Sequence, residues 1–450
     1  MRDFTKTHSE KELSVFLLPM VLSVSFQRIY SLVSTAVVSK YLGYKAVAVI
    51  GSCNACVSIQ EFIFAGMTTG FGFYIYRCIG SKEKNTLSAG IWGGIYLTGA
   101  LALLGLIGAV AAGVFAELMN ISPQIREDAE KYLFFLLAGS GFLAFKNLLF
   151  CMIQGLGDSS ISGILSMVGV VSQTVLTVWL VAGLRFGVEA SALAILLNNM
   201  ILCICLGIYL FWRYRTQIGY TSLLKIPFPV VKEHLCSGAV KSGMMLTIGF
   251  GAVVMQKAVN KMPEGLIAAN TYASVLAAFF VELFSAYATA AGIIAGQNKG
   301  SLHVANIKKY NRSVFIRCGC WCICVFVLFH AGGRWLFGLL AGRNVPEQVL
   351  LEGMRWLRIC SYGYPGLALL LVCRNVMQAM GYHRVLPMLG LIEMTINILL
   401  AGFVPAYQCL AVSISMVLKW SVPGVISYFV FRRMMQAFSA EDCISEDQER

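Results

Sequence analysis

The sequence predicts an all-α polytopic membrane protein with about twelve transmembrane helices, arranged as two parallel six-helix repeats. Three observations predict it. Apolar residues come in long runs with few charges, basic residues divide unevenly between alternate loops, and a weak internal repeat recurs at half the chain length.

Hydrophobic residues make up 58% of the 450 and charged residues 13%, against about 25% charged in a soluble domain. With a mean hydropathy of +0.74, the charges are too few to cover a water-facing surface of this size. The apolar runs reach twenty residues or more, the length that crosses a bilayer core of about 30 Å. They place spans at approximately 14–38, 46–75, 88–115, 131–154, 160–184, 188–212, 236–258, 265–296, 314–341, 352–379, 385–407 and 409–431. The second, eighth and tenth are long enough to be tilted or bent. The polar segment at 213–235 is the longest connection and falls near the middle, which divides the chain into lobes 1–225 and 226–450, the second ending in a short polar tail. The start, MRDFTKTHSEKE, is polar and leads into a run that looks permanent, so no cleaved signal is expected.

An even number of spans puts both termini on one side. That side carries nineteen basic residues, among them Lys82, Lys84, Arg213, Lys308, Arg312 and Arg432, and the other carries ten. Basic residues gather in cytoplasmic loops, so both termini are predicted to be cytoplasmic. The net charge of +13 is accounted for in the same way, and no nucleic-acid partner is expected. The fifteen cysteines lie mostly in apolar runs. CGCWCIC (318–324) winds around a helix, although Cys53 and Cys56 share a face. They read as small buried hydrophobes rather than as metal ligands or disulfides.

The repeat shows in two short turns. QGLGDSS begins at 154 and QAMGYHR at 378, each between two apolar runs. A shift of 224 residues sets Gln154-x-x-Gly157 on Gln378-x-x-Gly381. A shift of 220 sets LGYKAVAV (42–49) on MPEGLIAA (262–269) and Arg77-x-x-Gly80 on Gln297-x-x-Gly300. The offset spans six helices, so the halves point the same way and are related by an axis along the membrane normal. Two such bundles rocking about a central cavity have the geometry of alternating access.

These segments resemble the multidrug and toxic compound extrusion transporters, within the multidrug, oligosaccharidyl-lipid and polysaccharide exporters. The resemblance lies in QRIYSLVSTAVVSKYLGYKAVAVIG (27–51), GMTTGFGFYIYRCIGSKEKNTLSAG (66–90), QGLGDSS, IAANTYASV (267–275), IAGQNKGS (294–301), QAMGYHRVLPM (378–388), IEM and KWSVPG, in that order along nearly the whole chain. It implies a V-shaped, two-lobed antiporter that exports organic, often cationic, compounds in exchange for Na⁺ or H⁺ across a bacterial inner (plasma) membrane. The chain departs from the family at several points. Ser34 stands where the first span usually has an acidic residue, and TVLTVWL (174–180) lacks the usual Asn and Asp. Val240 replaces a proline, and Asn397 stands where span eleven usually has a basic residue. The coupling site of the N-terminal lobe is left unassigned by these departures.

No Ser-His-Asp order, Walker loop or metal-binding spacing stands out, so no enzyme, cofactor or metal is expected beyond the coupling ion. GFGFYIYRCIG resembles a dinucleotide fingerprint only superficially, because it lies at a span and not in a strand–turn–helix unit. No soluble segment is long enough for a nucleotide domain, so a gradient must drive any transport. Ionisable groups inside a membrane cost several kcal/mol unless paired or wet. Three carboxylates qualify: Glu61 in span two, Glu282 in span eight and Glu393 in span eleven. One reading has such a carboxylate face the cavity and hold the coupling ion or a cationic substrate by turns. The other makes it an ion pair with Arg28, Lys146, Arg374 or Lys419. Candidate cavity-lining residues are Gln27, Ser34, Asn54, Gln256, Asn270, Tyr287, Arg374 and Gln378, although polar groups also bond span to span. Arg28, Lys146 and Arg374 would repel a simple cation unless paired, which leaves a substrate with an anionic group open. The expected partners are a small molecule and membrane lipid, with the chain acting as a monomer. The alternative functions are a lipid-linked sugar flippase of the same superfamily and a non-transporting membrane scaffold or receptor.

Overall fold

The computed structural model describes residues 4–5, 10–118, 121, 123, 125–301, 303–341 and 346–448. Side chains are not described at 26–40, 43–45, 47–48, 51, 54–55, 118, 217, 224, 264, 304–305, 338–341 and 439–448. Every element among the described residues is helical. In chain order they are α1 (Glu10–Ser81), α2 (Lys84–Val110), α3 (Ala112–Leu118), α4 (Arg126–Ala138), α5 (Ser140–Gly155) and α6 (Ser159–Val178), which ends in a π turn at Trp179–Gly183. Next come α7 (Glu189–Ile218), a 3₁₀ turn at Leu223–Lys225, α8 (Phe228–Val259), α9 (Glu264–Gly300) and α10 (Val304–Ala331). The last five are α11 (Gly333–Ala341), α12 (Glu347–Ser361), α13 (Tyr364–Ala379), α14 (Leu386–Ala401) and α15 (Val404–Gln448).

Eight helical stretches among the described residues are long and apolar enough to cross a membrane, and the bent pair α12–α13 makes a ninth. α14 is a shorter apolar helix. α1 runs for 72 residues. At 1.5 Å per residue it is about 110 Å long, more than three bilayer cores, so it is not one crossing and holds both of the first two expected spans. The outward faces of α2 and α6 expose Leu103, Leu104, Ile107, Val168, Val171 and Val175. Such rows are unsuited to water and suited to lipid. The chain is therefore an all-α, multi-pass membrane protein.

Several boundaries differ from the sequence reading. The polar connection at 213–235 shortens because Arg213 and Arg215 continue α7 and Lys232 and Glu233 already lie in α8. The tenth span bends by 49° between α12 and α13. The bend falls just before Pro365, which enters the first turn of α13 where a missing N–H is harmless. The twelfth span begins at a kink, since Gln408 has φ 48° and breaks the helical backbone inside α15.

The chain divides into two compact units, one of residues 1–4 and 11–243 and the other of 5–10 and 244–450. In the first unit, Phe71, Ile75, Leu148, Met152 and Leu206 centre a core between α1, α2, α5 and α7. The approach of α8 to α1 depends on small residues. A Cβ on Gly70 would meet the backbone of Gly238 at 2.5 Å, so only paired glycines fit there. Ser237 Oγ also donates to the Gly70 carbonyl at 2.8 Å. In the second unit, α13 is buried on every side from Leu370 to Ala379, as befits a central helix. Tyr364 at its start stacks on Phe284 of α9 with centroids 5.5 Å apart.

The two turns noticed in the sequence share one geometry. Gly157 has φ 84° and Gly381 φ 86°, the left-handed conformation that ends a helix without strain only in glycine. Asp158 N–H donates to the Ile153 carbonyl at 3.1 Å and Tyr382 N–H to that of Met377 at 2.8 Å. The Gly157 and Gly381 N–H groups reach Gln154 and Gln378 at 2.9 and 3.0 Å. Both helices thus close with the same pair of bonds, the Schellman motif.

Candidate functional site

In the second unit a buried polar cluster forms where α13, α14 and α15 meet. Arg374 Nη1 donates to Glu393 Oε1 at 3.2 Å, with side chains 10% and 6% exposed. Asn397 lies one turn beyond Glu393 on the same face of α14, and its Oδ1 accepts from Ser415 Oγ at 2.9 Å. Lys419 follows Ser415 by one turn on α15 and lies within Coulombic range of Glu393. The cluster has two cations and one carboxylate, so its net charge is positive. Arg374 Nε and Asn397 Nδ2 have no hydrogen-bond partner among the described residues. Gly251 of α8 packs against this end of α14, where a Cβ would meet Met394 Cα at 2.9 Å and Asn397 Cβ at 3.3 Å.

In the first unit the cation comes from the equivalent helix. Lys146 lies eight residues before Gln154, and Arg374 four before Gln378. Under the 224-residue offset the two cations stand one turn apart on matching helices. Lys146 Nζ donates to Asn199 Oδ1 at 2.8 Å, and Glu61 lies within its Coulombic range. Beside Glu61, Gln60 Nε2 donates to the Leu136 carbonyl at 3.0 Å and ties α1 to α4. Asn198 Nδ2 donates to Gln173 Oε1 at 3.1 Å, and Ser172 Oγ donates to Asn198 Oδ1 at 2.5 Å. These bonds tie α6 to α7. Asn198, Asn199, Gln173 and Ser172 did not stand out in the sequence reading. The available signal was NN inside an apolar helix, because amides buried in a span must find partners.

The structure distributes the remaining sequence candidates as follows. Gln27, Ser34 and Asn54, and Arg28 beside them, lie outside the residues whose side chains are described. Glu61 is exposed, and Glu282 and Tyr287 are half-buried on α9. Gln256 is exposed and donates to Asn260 Oδ1 at 2.8 Å. Asn270 is buried, and its Oδ1 has no partner among the described residues. Arg374 and Gln378 are both buried on α13. Glu393 has the compensating cation that a structural ion pair requires.

The MatE family model matches residues 19–179 and 242–403, one stretch in each half and together well over half of the chain. The chain belongs to the MatE family. Relatives of this MatE chain include the probable multidrug resistance proteins YoeA and YpnP of Bacillus subtilis. YoeA is 24% identical over 69% of this chain and 68% of its own length. YpnP is 22% identical over 87% of each. A transporter of the multidrug, oligosaccharidyl-lipid and polysaccharide superfamily from Pyrococcus furiosus has a solved structure that superposes with a TM-score of 0.87. It covers 97% of both chains at 19% identity. The fold of this MatE chain is therefore that of the solved P. furiosus transporter, and its family is one of multidrug efflux transporters.

Proposed function

We propose that this MatE chain is a secondary active exporter of organic, cationic or amphipathic compounds. It exchanges them for Na⁺ or H⁺ by alternating access across a bacterial inner membrane, with both termini in the cytoplasm. The observation that carries this reading is the family match in both halves. Coupling is assigned first to Glu282, because it is a half-buried carboxylate on a span. A carboxylate that binds either ion or substrate, but not both, links the two fluxes by mutual exclusion. Glu61, close to Lys146, is the second candidate. A substrate with an anionic group is favoured as the second reading by the positive cluster of Arg374 and Lys419 around Glu393. The solved P. furiosus relative is itself described as having a binding pocket of reverse polarity that suggests a different function. None of the relatives reported above supports the lipid-linked sugar flippase.

The test is flux in proteoliposomes with imposed Na⁺ and pH gradients, using cationic and anionic dyes in parallel. Glu282→Gln should abolish the dependence on one of the two gradients while the protein still inserts and melts normally. Unchanged ion dependence in that variant would remove Glu282 from the mechanism, and movement of anionic dyes alone would favour the second reading.

A further inference from the structure

A seam between α10 and α15, both in the second unit, lies at the end of these helices that carries the basic residues. It forms an open groove of about 620 Å³, within the range of small-ligand sites. Lys308, Asn311, Arg312 and Phe315 line it from α10, and Tyr428, Phe431, Arg432 and Met435 from α15. Each set follows the i, i+3, i+4, i+7 spacing of one helical face. Lys308 and Arg312 lie in the first three turns of α10, with Phe315 and Ile316 following them, and on α15 Tyr428 and Phe431 precede Arg432. No acidic side chain lines the groove among the described residues. Neither Arg312 nor Arg432 has an ion-pair partner among them.

Asn311 lies beneath the groove and is 3% exposed. The Arg312 and Arg432 guanidinium groups, one from each side of the seam, match phosphate oxygens. A free phosphate would make no use of the apolar half. Ile316 is 58% exposed and Tyr428 37%, so the apolar part of the seam is open at the surface.

We propose that this seam binds an anionic phospholipid, with its phosphate at Arg312 and Arg432 and its acyl chains along Phe315, Ile316 and Tyr428. Basic pockets between spans recognise such headgroups through this combination of charge and depth. The site rests on the membrane-spanning fold and not on the direction or coupling of transport. With cytoplasmic termini it takes its lipid from the inner leaflet.

The experiment is native mass spectrometry of the full-length protein in detergent, titrated with phosphatidylglycerol against phosphatidylcholine. Wild type should retain phosphatidylglycerol preferentially. Arg312→Ala with Arg432→Ala should weaken that retention about thirtyfold, at about fivefold per cation. Lys309→Ala with Arg433→Ala removes two exposed cations that do not line the groove and should leave retention unchanged. Equal losses in the two double variants would mean diffuse surface charge and would overturn the proposal. So would displacement of the lipid by millimolar glycerol phosphate, which would make the site one for a soluble anion. If the alanine pair fails to fold, Arg312→Lys with Arg432→Lys keeps the charge and loses the bidentate fork. Wild-type retention in that pair would equally count against the site.

Discussion

Glu393→Gln should be the most damaging single change in the polar cluster of the second unit. At 3.2 Å the Arg374–Glu393 attraction is about 5 kcal/mol for an effective dielectric of about 20, and it offsets the desolvation of both groups. Wild type carries Arg374 and Lys419 against one carboxylate, a net charge of one. Glu393→Gln doubles that to two unopposed cations. Breaking a buried pair in this way costs about 3–5 kcal/mol. Arg374→Met leaves Glu393 beside Lys419, neutralises the cluster and retains an apolar stem, so its loss should stay within about 1–3 kcal/mol. Arg374→Met with Glu393→Leu restores the net charge of one. It should be less damaging than Glu393→Gln alone, with a coupling of at least about 1 kcal/mol between the two sites. Thermal unfolding in detergent can be followed with a thiol-reactive dye, since Cys318, Cys360 and Cys373 are buried in this unit and become reactive on unfolding. Strictly additive losses, or a Glu393→Gln variant as stable as Arg374→Met, would refute the compensated-pair reasoning.

Gly157→Ala and Gly381→Ala should each destabilise by about 1–2 kcal/mol, because a Cβ is strained in the left-handed conformation both adopt. Gly207→Ala, in α7 with open space around it, should be neutral or stabilising by up to about 1 kcal/mol in the same melting assay. Asp158→Ala removes the acceptor of Ile161 N–H at 3.2 Å and of Tyr209 O–H. It should cost about 1–2 kcal/mol and show as faster hydrogen exchange confined to the first turn of α6.

The repeat was legible in the sequence because its strongest mark is a backbone requirement. A helix that must end and reverse at a fixed place needs glycine in one position, and Gly157 and Gly381 both occupy it. The spans were legible because a bilayer imposes length and polarity on the chain. Their ends were less so. Arg213 and Lys232 are polar, and polarity marks the water boundary but not where a helix stops, so the central connection looked longer than it is. The pairing of Glu393 with Arg374 was among the sequence alternatives. Choosing it required knowing that α13 and α14 bring these side chains together. Lys146 was noticed as a stray cation, while Asn199, which receives its ammonium, was passed over. An asparagine carries no signature of partnership until its neighbouring helix is in place.

The sequence by itself determined that this chain crosses a membrane repeatedly, that one glycine turn recurs in both halves, and which few ionisable groups had to be explained. Hydrophobic length, loop charge and glycine geometry are properties of a chain segment and its solvent, so they can be read one segment at a time. The tertiary structure alone decided which cation lies against which carboxylate. It also showed that α10 and α15 turn their basic and aromatic faces toward one seam. Those facts depend on the rotation of one helix against another, which interhelical packing sets and no single segment records.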